Sequence, residues 1–443
     1  MLKKKLLITY SFLLITSSAL FSQTWSIMGS GLQAAGSVVD SVNGLLYVGG
    51  YFSTAGGTAV NNIASWNGTG WSAVGSGVNN AVSCLTGYND SLIAGGSFTT
   101  AGLVTANYIA EWNGIGWFSL GTGLNAAVHA VIEYNGNLIA AGQFTFAGGV
   151  PAKHIAMWNG SAWAPLGKGV NSFVNALAVY NGNLYVGGIF DSAGTVIANR
   201  IAMWNGSTWS AVGSGANKPV SSLIAYNGNL CAGGSFTTMG GVPANYIAQW
   251  NGSTWSAMAG GMTNYVPALA VYRNCLYAGG GFDTANGIRV NYIAQWNGTI
   301  WSALGQGMSK LYGYVYGLGN YDGNLIATGG FDSAGGKPAS YIAQWNGVAG
   351  INQLTMDNTQ LKVYPNPSNG IFNMQIENGK WKIENEKMQA EVYNMTGEKV
   401  YSQFSTFNSQ FSIDLQGQPT GVYIYQISDL DGNPIASGRL IKD

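Results

Sequence analysis

Short apolar runs alternate with glycine- and asparagine-rich turns along most of the chain, and the runs come in fours. The stretch from Val174 shows the pattern: a first run, Val174 to Tyr180, the turn Asn181-Gly182-Asn183, then a second run, Leu184 to Gly188. Asn-Gly supplies the positive φ angles of a tight hairpin. A looser stretch, Phe190 to Asn199, leads to a third run, Arg200 to Trp204, and Asn205-Gly206-Ser207-Thr208 turns into a fourth, Trp209 to Val212. These runs predict four antiparallel strands, a to d, in one small meander.

The meander repeats. Ile-Ala-x-Trp-Asn-Gly recurs with its Trp at 66, 112, 158, 204, 250, 296 and 345, five spacings of 46 and one of 49. A second Trp series stands at 25, 71, 117, 163, 209, 255 and 301, and a Phe series at 52, 98, 144, 190, 236, 282 and 331. A four-stranded sheet this small cannot bury both faces alone, so units of this period pack face to face and close radially. The array opens with a lone strand d, Trp25-Ser26-Ile27-Met28, and ends at Trp345-Asn346-Gly347 with no strand d after it. The expected fold is all-β: a seven-bladed β-propeller over residues 23–350, closed by the N-terminal strand, which leaves no exposed seam.

Composition narrows the function. The 443 residues carry 18 Lys+Arg against 18 Asp+Glu, with no basic run after the first five residues, which excludes the cationic face a nucleic-acid partner needs. A 47% hydrophobic share excludes disorder, and 66 glycines disfavour a helical solenoid. Three irregularly placed cysteines, Cys84, Cys231 and Cys275, form neither a disulfide framework nor a metal-ligand spacing and read as core or turn residues.

Lys3, Lys4 and Lys5 followed by the apolar stretch Leu6 to Leu20 read as a secretory signal peptide, residues 1–22, with cleavage after Ser22 or after Ala19. No Cys follows for lipid anchoring, and no later segment has the length of an apolar membrane span. After Gly350 the composition changes: Ile351 to Asp443 holds 17 of the 36 charged residues and lacks the repeat. Residues 351–360 read as a linker. Alternating segments at Phe372 to Ile376, Ala390 to Tyr393 and Gly421 to Ile427 suggest a small C-terminal β-sandwich over 361–443.

Two resemblances follow from particular residues. The Gly-Gly pairs 49–50, 95–96, 187–188, 233–234 and 279–280, with the strand-d Trp, resemble the kelch family across residues 25 to 347. A closer likeness is to the Trp-Asn-Gly propeller repeats of fungal cortical polarity markers and bacterial surface proteins. Kelch blades usually carry Tyr in strand c and a longer c–d loop, so kelch partner surfaces do not transfer. In the tail, Val363-Tyr364-Pro365-Asn366-Pro367 with Gly370, Val392-Tyr393-Asn394 with Gly397, Gly421-Val422-Tyr423 and Leu440-Ile441-Lys442 together resemble the type A C-terminal sorting domain of the bacterial type IX secretion system. That resemblance implies the type IX machinery as a partner of residues 361–443, export to the cell surface or beyond, removal of the domain, and attachment of the mature protein to surface lipopolysaccharide.

Catalytic chemistry is sparse. His129 and His154 are the two histidines, and His154 fills a slot held by Tyr in four other repeats. No nucleophile elbow, metalloprotease helix or phosphate loop is present. The repeats hold eight acids, Asp40, Asp90, Glu111, Glu133, Asp191, Asp283, Asp322 and Asp332. A pair meeting at the axis would suit glycoside hydrolysis, but recurrent turn positions suit several of these acids better. Asp191-Ser192-Ala193, Asp283-Thr284-Ala285 and Asp332-Ser333-Ala334 read as turn caps, with a rival likeness to the O-glycosylation sequence of bacteria that own this secretion system. The Asn-Gly-Ser/Thr turns read as hairpin chemistry, and Asp429-Leu430-Asp431-Gly432 as a turn rather than a calcium loop. One Trp in the same slot of every repeat reads as packing.

The expected function is therefore non-catalytic, without metal or cofactor: an exported binding or adhesion module, with a glycan-cleaving enzyme or a structural coat protein as alternatives. In an up-and-down sheet the b–c loops and d–a connections share one face. That face carries Phe173, Lys218, Tyr265, Lys310, Tyr312 and Tyr314 as candidates for a glycan or protein ligand.

Overall fold

Asn181 and Gly182 both take positive φ, +47° and +73°, and close a two-residue hairpin between Val174–Tyr180 and Asn183–Gly188. The same chemistry recurs along the chain, in a computed structural model that describes residues 24–309, 313–346, 361–376, 387–394, 399–406, 410–428 and 434–443. The expected leader at 1–22, the linker at 351–360 and the Asp429 to Gly432 turn lie outside these residues.

Among the described residues the protein is all-β, and the repeats form seven four-stranded antiparallel sheets in the order a-b-c-d. In the fourth, strand c is Ile201–Trp204 and strand d Trp209–Ala211. The c–d turn is built by one side chain: Asn205 Oδ1 accepts from the backbone N–H groups of Ser207 and Thr208. Asn67, Asn113, Asn159, Asn251 and Asn297 do the same in their turns. These asparagines are turn-forming, as the sequence suggests.

The two tryptophan series are cross-strand partners. Trp204 stands opposite Trp209, and in all seven sheets the paired indoles lie 5.0 to 5.4 Å apart, tilted. The strand-d indole also reaches the preceding sheet, as where Trp209 Nε1 donates to Leu166 O at 3.2 Å and Trp255 Nε1 to Val212 O at 3.0 Å. Each strand-d tryptophan thus buries its ring and satisfies its polar atom at one boundary between sheets.

Thr24–Ile27 pairs with Ile342–Asn346 as the fourth strand of the last sheet, with Trp25 opposite Trp345. The cores lie between successive sheets: Val212, Val220, Leu230, Phe236 and Trp255 join the fourth to the fifth, and Met28, Leu46, Val48, Ile326 and Ile342 join the last to the first.

One expectation needs correction. The Phe190 to Asn199 stretch is not loose: Ser192–Ala193 and Val196–Ile197 form a second, two-stranded hairpin, and Ala193 bridges Val170 in the d–a connection. All seven repeats have this hairpin. Strand c accordingly starts one residue late, because Arg200 sits at φ +63°; Asn62, Tyr108, His154, Tyr246, Tyr292 and Tyr341 share that conformation in the other repeats. The b–c hairpins therefore share one backbone form, and their variation lies in side chains, whereas the d–a connection of the last repeat is three residues longer.

The chain divides into two compact units, the second containing Ala349–Asp443. In that unit Leu361–Tyr364, Ile371–Ile376 and Gln410–Asp414 form one sheet; Lys399–Thr406, Lys387–Asn394, Gly421–Ser428 and Pro434–Lys442 form another. Phe372, Met374, Val392, Ile413, Tyr425 and Leu440 make a common core.

Candidate functional sites

Each d–a connection is tied to the b–c hairpin of its own sheet by one polar side chain. Asn125 Oδ1 accepts from the Thr145 and Phe146 N–H groups, and Asn217 Oδ1 from those of Thr237 and Thr238. Where the hairpin carries Asp, the carboxylate joins the tie: Asn171 Nδ2 donates to Asp191 at 2.5 Å, Thr263 Oγ1 to Asp283 at 2.9 Å, and Ser309 Oγ to Asp332 at 2.5 Å. The oxygens that cap the hairpin backbone belong to Asn171, Thr263 and Ser309, and the three carboxylates accept from those side chains instead of forming the expected side-chain-to-backbone cap themselves. Asp90 and Asp322 sit at positive φ in a–b turns, at the opposite end of the sheets.

The remaining strand-a acids differ in setting. Asp40 Oδ1 accepts from the Ser41 N–H at 2.8 Å. Burial pushes its carboxyl up to about 6, against the lowering effect of the Ser41 and Gly87 N–H groups. Glu133, on the third strand a, is exposed. His129 sits at the strand-a bulge; burial lowers its pKa, opposed by hydrogen bonds to the Asn175 side chain and Val174 backbone. His154 is buried, lowered by desolvation, and packs edge-on against Phe173 at 5.6 Å. Cys84, Cys231 and Cys275 are buried thiols outside any disulfide, and burial pushes the Cys231 thiol up to about 12.

Of the six residues expected on the ligand face, Phe173, Tyr265 and Tyr314 hold one slot, just before strand a, in the fourth, sixth and seventh sheets. Pro219 takes it in the fifth, beside exposed Lys218, while Ala35, Ala81 and Ala127 take it in the first three. The structure thus gathers an aromatic arc on half of this face. Phe173 is partly covered by His154, and Tyr265 is half-buried. Lys310 and Tyr312 lie outside the described residues. Ser309 and Asp332 keep the same tie as Thr263 and Asp283, so the three extra residues of the last repeat fall between that tie and strand a.

Tyr316 and Tyr292 escaped the sequence reading. Tyr316 is the unpaired bulge residue of the last strand a, Val315–Tyr321, and its ring stacks on Tyr314 at 5.8 Å and 3°. The signal was present: Ser37, Ser83, His129, Asn175, Ser221 and Pro267 occupy that slot elsewhere.

In the C-terminal unit, motifs far apart in sequence form one seam. Asn366 Nδ2 donates to Arg439 O at 2.7 Å, and its Oδ1 accepts from Ile441 N at 2.8 Å. Ser368, also missed, is buried and bridges Lys442, with Ser368 N donating to Ile441 O and Asp443 N to Ser368 O. Lys442 is buried, and its ammonium donates to the carbonyls of Gln416 and Gln418. Gly370, at φ +121°, lies so close that a Cβ would sit 2.9 Å from Gln416 Cα. Pro365 and Pro367 are exposed, each following a cis bond, and Tyr423 Oη donates to Pro419 O at 2.6 Å just after Gly421 opens its strand. Gly397 lies outside the described residues.

Residues 362–442 match the family described as secretion system C-terminal sorting domain. The tail carries a sorting domain. No curated protein matches the chain. The sorting domain indicates export through a type IX secretion system, interaction with its machinery and attachment at the cell surface. Asn366, Ser368, Gly370 and Lys442 join the turn after the first strand, the terminal strand and the Gln416–Gln418 loop, while Tyr364 pairs with Asn373 of the next strand. The exposed Pro365 and Pro367 rings stand beside that seam.

Proposed function

We propose that the protein is a surface-attached binding or adhesion module: a seven-bladed β-propeller, residues 23–350, closed by its N-terminal strand. A signal peptide at 1–22 starts export, a linker at 351–360 follows the propeller, and residues 361–443, a small β-sandwich, direct type IX secretion before lipopolysaccharide attachment. The observation that carries the binding reading is the half-ring of Phe173, Tyr265, Tyr314 and Lys218 on the b–c and d–a face. A rigid scaffold with variable exposed side chains on one face is the arrangement of recognition surfaces. The kelch-like repeat pattern, the Trp25–Trp345 pairing and the core shared by last and first sheets support the propeller. The non-catalytic reading draws support from Asp191, Asp283 and Asp332, each of whose carboxylates accepts a hydrogen bond from an Asn, Thr or Ser side chain of its own repeat.

The test is binding of the purified chain to glycan arrays and to intact cells or surface material, with glycan hydrolysis assayed alongside. Saturable binding without turnover is expected. Reproducible hydrolysis abolished by replacing a single acid contradicts the non-catalytic reading, and self-assembly with no ligand on any surface contradicts the binding one.

A further inference from the structure

The seventh repeat departs from the others at three neighbouring places. Its pre-strand slot holds Tyr314, its bulge slot Tyr316, and opposite them the sixth sheet has Gly281, where the first five repeats carry Tyr51, Ser97, Gln143, Ile189 and Ser235 and the seventh Gly330. A Cβ at Gly281 would lie 2.3 Å from Tyr314 Cε1, and the three atoms nearest that point all belong to Tyr314. The missing side chain is what lets the Tyr314 ring lie down. A bulge re-aims the residue it displaces, and here it turns Tyr316 parallel to Tyr314.

Each of these two tyrosines is 40% exposed, unlike the buried indoles of the framework. Burial raises the Tyr316 phenol pKa, and Tyr314 and Tyr265 add to the rise, which puts Tyr265 within the same cluster. Burial likewise raises that of Tyr292, with Asp283 and Tyr314 raising it further and Arg289 opposing, so an exposed carboxylate and an exposed guanidinium lie near Tyr292, the neighbour of Tyr314.

The geometry points to Tyr265, Tyr314 and Tyr316 as a carbohydrate-binding platform for β-linked pyranose chains with equatorial hydroxyls. Such sugars present flat C–H faces that pack on the exposed face of a stacked aromatic pair, while their hydroxyls lie around the edge, where Asp283 and Arg289 stand by Tyr292. The chain's zero net charge and the single described lysine of this arc, Lys218, disfavour a polyanion as ligand. This inference rests on the reading of the repeats as a binding module and names its ligand class.

The experiment is calorimetric titration of the full chain with cellohexaose, chitohexaose and xylohexaose, using maltohexaose as an α-linked contrast. Binding of at least one β-linked hexamer is expected, with maltohexaose weaker. Tyr314→Ala and Tyr316→Ala should each weaken it about tenfold, the effect of losing one stacking contact. Gly281→Ser, which restores the residue of the second and fifth sheets and displaces the Tyr314 ring, should do the same with an unchanged melting temperature. If no β-linked hexamer binds at millimolar concentration, the platform is refuted, while a protein ligand found on cells would leave the binding reading standing. A hexamer whose affinity survives all three folded variants refutes this site but not the module.

Discussion

Trp25 Nε1 donates to the Leu304 carbonyl at 3.0 Å, although 279 residues separate them. It is the same bond that Trp71 makes to Met28 and Trp301 to Met258, each across 43 residues. The N-terminal strand thus does for the last sheet what the local strand d does for every other. Trp25→Phe keeps the ring beside Trp345 but leaves the Leu304 carbonyl with the Gly307 N–H alone, and should cost about 1 kcal/mol. Removing the mature chain through Ser30 also loses fully buried Met28 and the strand ladder, a loss of about 5 kcal/mol or more. Urea unfolding of both variants measures this, and an unchanged midpoint for the truncation would refute closure by this strand.

Asp40 should make the repeat unit more stable in mild acid. Its folded-state pKa, about 6, lies above the ordinary Asp value of 3.8, so between those two values the folded chain holds a proton that the unfolded chain has lost. Stability from this group therefore falls as pH rises from about 4 to 6 and stays reduced above that, by about 3 kcal/mol. Asp40→Asn removes the ionisation and should raise stability at pH 7.5 while flattening the slope between pH 4 and 6. Thermal melts of both chains across that range check it; an identical slope in the variant would contradict the assignment.

The sorting-domain seam predicts coupling between distant motifs. Asn366→Ala breaks both bonds to the terminal strand and should destabilise the C-terminal unit by about 1 to 3 kcal/mol. Gly370→Ala should do likewise, since a side chain there meets the Gln416 backbone at an unfavourable φ. Limited proteolysis of the full chain should cut residues 361–443 sooner in both variants, with the repeats unaffected. Equal protection would mean the motif acts through its exposed prolines alone.

Much of this architecture is legible in the sequence because the repeat multiplies every weak signal. The Asn-Gly turns and paired tryptophans mark strands a to d in each unit, and their boundaries fall within a residue or two of those found. The second hairpin, Ser192–Ala193 with Val196–Ile197, is invisible to periodicity because two-residue strands have no period. It is held by Asn171 and the bridge to Val170, contacts that only the folded chain brings together. Phe173, Tyr265 and Tyr314 are legible because the d–a connections that carry them vary from repeat to repeat while the a–b and c–d turns do not. Tyr316 was not, because its slot holds unlike residues in the other repeats and its aim depends on a bulge. In the tail the ordered motifs were legible as a set, whereas Ser368 and the buried partners of Lys442 emerge only where the chain's last strand returns to Asn366.

The account's central claim is that residues 361–443 are an address and the repeats are the delivered part. The most direct measurement is fractionation of the native host expressing either the full chain or a chain ending at Gln360, with antibody against the repeats. The full chain should appear at the cell surface, and the shortened chain should remain inside the outer membrane with its repeats folded. A shortened chain that reaches the surface at the normal level would contradict the account.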